Sequence, residues 1–478
     1  MDFAKKSLEK YEISQKSRLK NILCLIYNKN GTELIGDIYM LRRKIEQYLL
    51  DWKNSPNHNP LIIKGCRQCG KTFSVLQFAQ ENYEHVVYLN FFEDPSYTSI
   101  FSGSLEINHL TMLISALLGP KAIFEAGKTL LILDEIQECP EARTALKFFK
   151  IDGRYDVIGT GSLLGVKGYG KAPKSIPVGY ETELKMYPLD FEEFLWANGI
   201  SDEMISFLKD SLDKKTVIPE ALHQRMRQLL LSYTVVGGMP NVVQTFVSTE
   251  QMNQVLQMQR DIVRSYEDDM VKYAENKDKG CIKECFQSIP KQLAKENKKF
   301  QYSVIKKKST STQYQGSLQW IEDAGIINRC YNLKMTELPL DGNVEENIFK
   351  VYMADMGLLV SMLEDGTQYD ILQGNLYGYK GAIFENLIAD IFAKMGRKLY
   401  YFHKSSGLEI DFVMRYKGKC TIVEVKAKSG NTKSSKTILN HPEKYHVNQL
   451  IKLGDYNIGQ TDKILTLPLY MAFLLKEY

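Results

Sequence analysis

The chain has 478 residues, of which 44% are hydrophobic, 25% charged and 11% aromatic, a composition that supplies sizeable cores and excludes global disorder. At roughly 100–200 residues per domain, this length predicts about three domains. Its 61 basic and 57 acidic side chains leave a net charge of +4, which excludes a polycation coating nucleic acid along its whole length.

The apolar runs are far shorter than the ~20 residues a bilayer requires, so no membrane span is expected. Met1–Lys20 is charged throughout and has no apolar core like that of a signal peptide. Eight cysteines without paired spacing do not make a disulfide framework, and a reduced, cytoplasmic protein is the expectation. Cys281 and Cys285 stand at helical spacing with no further Cys or His pair nearby to complete a zinc site.

Residues 1–39 are weakly patterned and read as an N-terminal extension. Residues 40–52 carry apolar side chains at helical spacing, and 54–60 break that pattern with polar residues and proline. Residues 61–63, 86–92, 130–133 and 156–158 then read as strands, and 70–80, 105–118 and 141–149 as helices. This alternation predicts an α/β domain over 40–199, with a parallel sheet covered by helices. Residues 200–345 read as a mainly helical, winged-helix-like middle, and 346–478 as a smaller α/β unit.

The first chemical signal is Gly65-Cys66-Arg67-Gln68-Cys69-Gly70-Lys71-Thr72, which matches GxxxxGK[ST] between the strand LIIK and the helical run TFSVLQFAQ. Its glycines let backbone N–H groups wrap a triphosphate, and the following helix offers its positive N-terminus. Lys71 is placed to reach the β- and γ-phosphates, and Thr72 to offer a hydroxyl to Mg²⁺. Cys66 and Cys69 form a CxxC inside this loop and read as small loop residues.

A partner element follows. TLLILDE is an apolar strand ending in Asp134, a candidate Mg²⁺ ligand, and Glu135, a candidate for polarising the attacking water. The next strand ends in hydroxyls, with Thr160 or Ser162 as the candidate γ-phosphate sensor. The DE pair and the lack of an NKxD-like guanine-reading motif favour ATP. Arg67, Arg143 and Arg154 are equal candidates for an arginine finger, which another subunit of a homo-oligomer could also supply.

A second constellation lies in the last third. Glu385 sits in the helical run GAIFENLIADIFAKMG, near the rim of its apolar stripe. Two alternating strands follow, joined around Lys417-Gly418; with that pair at the turn centre, Asp411 faces Glu424 and Glu409 faces Lys426. Opposed carboxylates ~5 Å apart repel, and a divalent cation would turn the repulsion into a binding site. Glu385, Asp411, Glu424 and Lys426 resemble the PD-(D/E)xK nuclease arrangement. The resemblance implies a metal held by Asp411 and Glu424, with Lys426 positioning a hydrolytic water or stabilising charge on phosphorus. A nuclease-like fold that binds DNA without cutting it is an almost equal expectation.

Charge is unevenly spread. Residues 291–308 hold seven lysines and one acid, and 394–436 hold eleven Lys or Arg against three acids. Residues 181–203 hold seven acids and a single lysine. In the first basic stretch Tyr314, Leu318 and Ile321 form a helix edge, Gly325 caps it, and Gln313, Gln315 and Gln319 are expected outside, as in a winged-helix module whose lysines contact phosphate.

From about Leu41 to Tyr478 the chain resembles the AAA-type ATPases that carry a C-terminal DUF4143 domain. The segments responsible are PLIIKGCRQCGKT, TLLILDEIQECPEARTALKFF, GSLLG, YPLDFEEFL, VVGGMPNVV, MADMGLL, GAIFENLIA and EIDFVMRYKGKCTIVEVKA. The family's loop commonly reads GxRQxGKT, with Cys66 and Cys69 at its non-liganding positions, and Tyr180 stands where many relatives have a basic residue. The resemblance implies an ATPase with a winged-helix-like middle and a restriction-endonuclease-like end. The leading expectation is an ATP-dependent switch or motor acting on DNA. Its rival is a protein-interaction switch whose nuclease-like domain is catalytically silent.

Overall fold

Five parallel strands form the first sheet: β1 (Leu61–Gly65), β2 (His85–Asn90), β3 (Thr129–Asp134), β4 (Asp156–Ser162) and β5 (Thr182–Met186), in the order β2-β3-β4-β1-β5. The computed structural model describes residues 40–163, 179–273, 279–295, 299–375, 379–426 and 433–476. The extension expected over 1–39 lies outside these residues, as do the end of GSLLG and part of each lysine-rich run.

The continuous apolar character of β3 follows from cover on both faces. Leu130 and Ile132 enter one core, whereas Leu131 and Leu133 enter a second, as period-two alternation requires. Helices α1 (Lys44–Asn54), α2 (Lys71–Asn82), α3 (Ile107–Leu118) and α4 (Pro140–Asp152) flank this sheet. The loop after β1, the end of β3 and the end of β4 therefore meet at the carboxyl edge of the sheet, where open α/β sheets bind ligands.

The middle is helical as expected: α5 (Phe191–Ala197), α6 (Asp202–Lys214), α7 (Glu220–Val236), α8 (Pro240–Thr249), α9 (Met252–Tyr273), α10 (Lys279–Leu293), α11 (Tyr302–Ile305) and α12 (Ser311–Asp323). On α12, Tyr314, Leu318 and Ile321 are fully buried, whereas Gln313, Gln315 and Gln319 are exposed. Gly325, at φ +73°, closes the helix with its N–H donated to the Glu322 carbonyl at 2.9 Å.

The second sheet is mixed and eight-stranded. It contains β6 (Ile327–Leu333), β7 (Val344–Met353), β8 (Leu399–His403), β9 (Glu409–Tyr416), β10 (Lys419–Val425), β11 (Gln449–Gly454), β12 (Gly459–Thr461) and β13 (Ile464–Pro468). The β6–β7 hairpin joins it because β6 pairs in parallel with β8, across a connection through α13 (Met356–Ser361), α14 (Thr367–Gln373) and α15 (Lys380–Lys394). The sheet thus begins at Ile327, ahead of the boundary expected near residue 345. Lys417 and Gly418, at φ 49° and 75°, form the tight turn of the β9–β10 hairpin. Its ladder pairs Phe412 with Val423, so the expected register holds and Asp411 comes next, beside Glu424.

Candidate nucleotide and carboxylate sites

Gly70 has φ +95°, a left-handed conformation that turns the loop directly into α2 at Lys71. Lys71 is 8% exposed, and its Nζ donates to the carbonyls of Gly65 at 3.2 Å and Cys66 at 3.0 Å. The Thr72 hydroxyl lies 3.1 and 3.0 Å from the two carboxylate oxygens of Asp134. Asp134 is buried and also accepts from the Thr160 hydroxyl, from Tyr88 Oη at 2.7 Å and from the Glu135 N–H at 3.1 Å. Burial, and then the charge of Asp134, push the Tyr88 hydroxyl far up, so it stays protonated as a donor. Glu135 follows in the left-handed region, at φ 51°, and accepts from Gln137 Nε2. Lys71, Thr72, Asp134, Glu135 and Thr160 thus converge from three strand ends. A hydroxyl and a carboxylate in mutual contact are a donor set that suits Mg²⁺, which Thr72 and Asp134 would hold.

The candidate finger arginines are each held within the chain. Arg143 is buried against Glu181 and Glu183, Arg154 pairs with Asp152, and Arg67 pairs with Asp269. Tyr180 has the Lys147 ammonium 5.3 Å from its ring centroid, so a cation stands at that position from another element.

Arg43, which the sequence reading missed, supports the loop from α1. Its guanidinium donates to the carbonyls of Cys69 at 3.1 Å and Tyr187 at 2.8 Å, and to Glu193 at 3.1 Å. Glu193 is held by a capping box in which Asp190 accepts its N–H at 2.9 Å and Glu193 accepts that of Asp190 at 3.0 Å. The segment YPLDFEEFL is thus a brace for the nucleotide loop. The thiols of Cys66 and Cys69 are buried together, and the hydrogen bond from Cys66 pulls the Cys69 thiol below its ordinary value against the effect of burial.

At the far sheet the carboxylates are already partnered. Glu385 is 2% exposed rather than at the rim, because β7 brings Lys350 Nζ to 3.0 Å from it and the Tyr352 hydroxyl onto the same oxygen. Lys350 also lies 3.0 Å from Glu409. Against burial, Glu385, Glu409 and Asp411 hold its ammonium well above the ordinary lysine range. Asp411 accepts the Val425 N–H at 2.8 Å, and Glu424 pairs with Lys426. Among the described residues, Glu385, Asp411 and Glu424 do not bring an oxygen each within 4.8 Å of one another. Two lysine ammoniums, Lys350 and Lys426, stand against these carboxylates. An open cavity of about 530 Å³ beside this sheet gathers Arg397, Lys398, Arg415 and Lys476, with Asp341 as its acid.

Three family models match the chain: an AAA domain at residues 57–195, and two domains of unknown function, DUF8612 at 227–369 and DUF4143 at 380–471. The chain thus carries an AAA domain and a DUF4143 domain. Among solved structures it is similar to the Walker-type ATPase PABY2304 of Pyrococcus abyssi, at 14% identity over 69% of this chain and 99% of that one, with a TM-score of 0.40. The ORC2 protein of Aeropyrum pernix, in ADPNP–ADP complexes, is 16% identical over 72% of this chain and 97% of its own, with a TM-score of 0.32. No curated protein matches the chain. Among the described residues, no helix is long and apolar enough to cross a membrane.

A buried polar cluster joins the three matched regions. Lys394, on α15 of the DUF4143 domain, places Nζ 2.9 Å from Asp390, 2.9 Å from the Tyr233 hydroxyl, 3.2 Å from the Leu189 carbonyl and 3.8 Å from Asp355. Leu189 belongs to the AAA domain, and Tyr233 and Asp355 to the DUF8612 match. Asp355 accepts the Gly238 N–H at 2.7 Å, and Leu189 donates its N–H to the Gly238 carbonyl at 2.7 Å. The segments VVGGMPNVV and MADMGLL meet here.

Proposed function

We propose that this protein is an ATP-hydrolysing switch. Lys71 binds the β- and γ-phosphates, Thr72 and Asp134 hold Mg²⁺, Glu135 polarises the attacking water, and Thr160 senses the γ-phosphate through Asp134. The convergence of Thr72, Thr160 and Glu135 on the buried Asp134 carries this reading. We further propose that the switch acts in association with DNA. The basic cavity and the lysine-rich runs support that, since phosphate contact needs cations rather than a particular fold.

A second reading, a protein-interaction switch with a catalytically silent nuclease-like domain, is favoured at the far site by one observation. Lys350 neutralises Glu385 in the interior, where an active metal centre would leave its carboxylates free to ligate. The test compares ATP hydrolysis and DNA cleavage in one preparation. Lys71→Ala should abolish hydrolysis and Glu135→Gln should retain ATP without turning it over; hydrolysis by Glu135→Gln at the wild-type rate sinks the assignment. Plasmid and linear DNA with Mg²⁺ or Mn²⁺ should stay uncut in both the wild type and Asp411→Ala. Cutting that Asp411→Ala abolishes would restore the nuclease reading, and absence of DNA-stimulated hydrolysis would remove DNA from the proposal.

A further inference from the structure

The middle region touches the nucleotide loop directly. Arg67 Nε lies 2.7 Å from Asp269 Oδ2, and the Tyr266 hydroxyl donates to the Arg67 carbonyl at 3.0 Å. Both partners stand on α9, outside the AAA match, and their i,i+3 spacing puts them on one face. Tyr266 is buried, and burial keeps its hydroxyl protonated as a donor. A cavity of about 30 Å³ lies between the loop and helices α9 and α12, bounded by Gly65, Cys66, Ser162, Leu163, Tyr266 and Trp320.

The loop also occupies its own lysine. Lys71 donates to the carbonyls of Gly65 and Cys66, the residues immediately before Arg67. A triphosphate that recruits Lys71 must draw it from those carbonyls and rearrange the stretch that Arg67 anchors to α9. At its other end α9 is tied down by Gln259, which donates to the carbonyls of Val235 at 2.8 Å and Val236 at 2.9 Å, beside Gly237 and Asp355.

We propose that Asp269 and Tyr266 are positioning residues that hold the nucleotide loop closed through Arg67. ATP binding breaks the Arg67–Asp269 pair and thereby informs the DUF8612 region that the site is filled. The proposal rests on the ATP reading above. Binding that must first open a closed state is weakened by the free energy of opening, so loosening the latch tightens ATP.

The test uses the full chain, with mant-ATP titration and steady-state hydrolysis on the wild type, Lys71→Ala, Asp269→Asn, Tyr266→Phe, Arg67→Gln and the Arg67→Gln/Asp269→Asn double variant. Asp269→Asn should lower Kd and KM for ATP by about three- to fivefold, with kcat changed by less than about twofold, and Arg67→Gln should lower Kd by a similar factor. The double variant should gain no more than either single one, because both remove the same contact. Tyr266→Phe, which removes one oxygen and keeps the packing, should shift Kd in the same direction. Unchanged or weakened ATP binding in Asp269→Asn overturns the latch, as does weakening by Arg67→Gln alone, which would place Arg67 on the phosphate itself. A wild type that fails to bind mant-ATP, or a Lys71→Ala variant that binds as the wild type does, fails at the ATP reading and takes the latch with it.

Discussion

Lys350 Nζ stands 3.0 Å from Glu385 Oε1, with both side chains 2% exposed. An ion pair this deep is tolerated because its members satisfy one another, and Tyr352 and Glu409 complete the set. Removing one partner leaves an uncompensated buried charge. Lys350→Met should therefore destabilise the protein by about 3–5 kcal/mol. Adding Glu385→Gln should recover part of that loss, since no stranded carboxylate remains. Urea unfolding followed by circular dichroism reads both, and a cost below about 1 kcal/mol for the single variant would show that Glu385 finds solvent or another cation.

Gly238 makes a contact of a different kind. A Cβ there would lie 2.1 Å from the Leu189 carbonyl oxygen, so the main chains of the AAA and DUF8612 regions approach where a side chain has no room. Gly238→Ala should cost about 3 kcal/mol or more, because backbone rather than a flexible side chain must yield. Gly316, on the exposed face of α12, meets nothing within 4 Å. Gly316→Ala should stabilise by up to about 1 kcal/mol through helix propensity. Equal effects at the two sites would contradict the close approach.

What was readable from sequence was local. The GxxxxGK[ST] loop, the acidic end of β3 and the Lys417-Gly418 turn each carry their chemistry within a few residues, and each stands where spacing placed it. The β9–β10 register followed from one turn, and with it the proximity of Asp411 to Glu424. Lys350 and Arg43 were invisible for the opposite reason. Lys350 reaches Glu385 through the parallel pairing of β6 with β8, and Arg43 reaches the loop from a helix that precedes the sheet. An isolated basic residue in an amphipathic run gives no sign of the carbonyls it will meet. For the same reason the rim position expected for Glu385, read from its own helix alone, became a fully buried one.

Arg43 is the brace most open to substitution. Its planar guanidinium serves the Cys69 and Tyr187 carbonyls and Glu193 at once, a fork that a lysine ammonium does not reproduce. Arg43→Lys should raise KM for ATP several-fold by loosening the loop, with a stability cost of about 1–2 kcal/mol from the donors lost. Arg43→Ala should cost about 3–5 kcal/mol, since Glu193 is left buried with its charge less compensated. Thermal unfolding alongside ATP titration separates the two effects. Wild-type KM in Arg43→Lys would mean that the Cys69 carbonyl needs no support.

Asp390 gives the stability of the assembly a dependence on pH. Burial pushes its carboxyl from an ordinary 3.8 up to about 7, with Lys394 opposing and Asp355 reinforcing the rise. Its Oδ1 has no hydrogen-bond partner among the described residues, which favours the neutral acid. Lys394, against the effect of burial, is held above its ordinary value by Asp390 and Asp355 and stays charged throughout. The Tyr233 hydroxyl, pushed up first by burial, stays neutral. Between about pH 4 and pH 7 the folded chain therefore binds more protons at Asp390 than the unfolded chain does, and stability falls as pH rises. The slope is at most about 1.4 kcal/mol per pH unit and flattens above about pH 7.5. Asp390→Asn removes this titration, so the wild type should lose stability relative to the variant as pH is raised from about 5 to 7 and hold a constant difference above about 8. Urea midpoints measured for both proteins across that range provide the check, and a difference that does not change with pH would mean that Asp390 is ionised throughout.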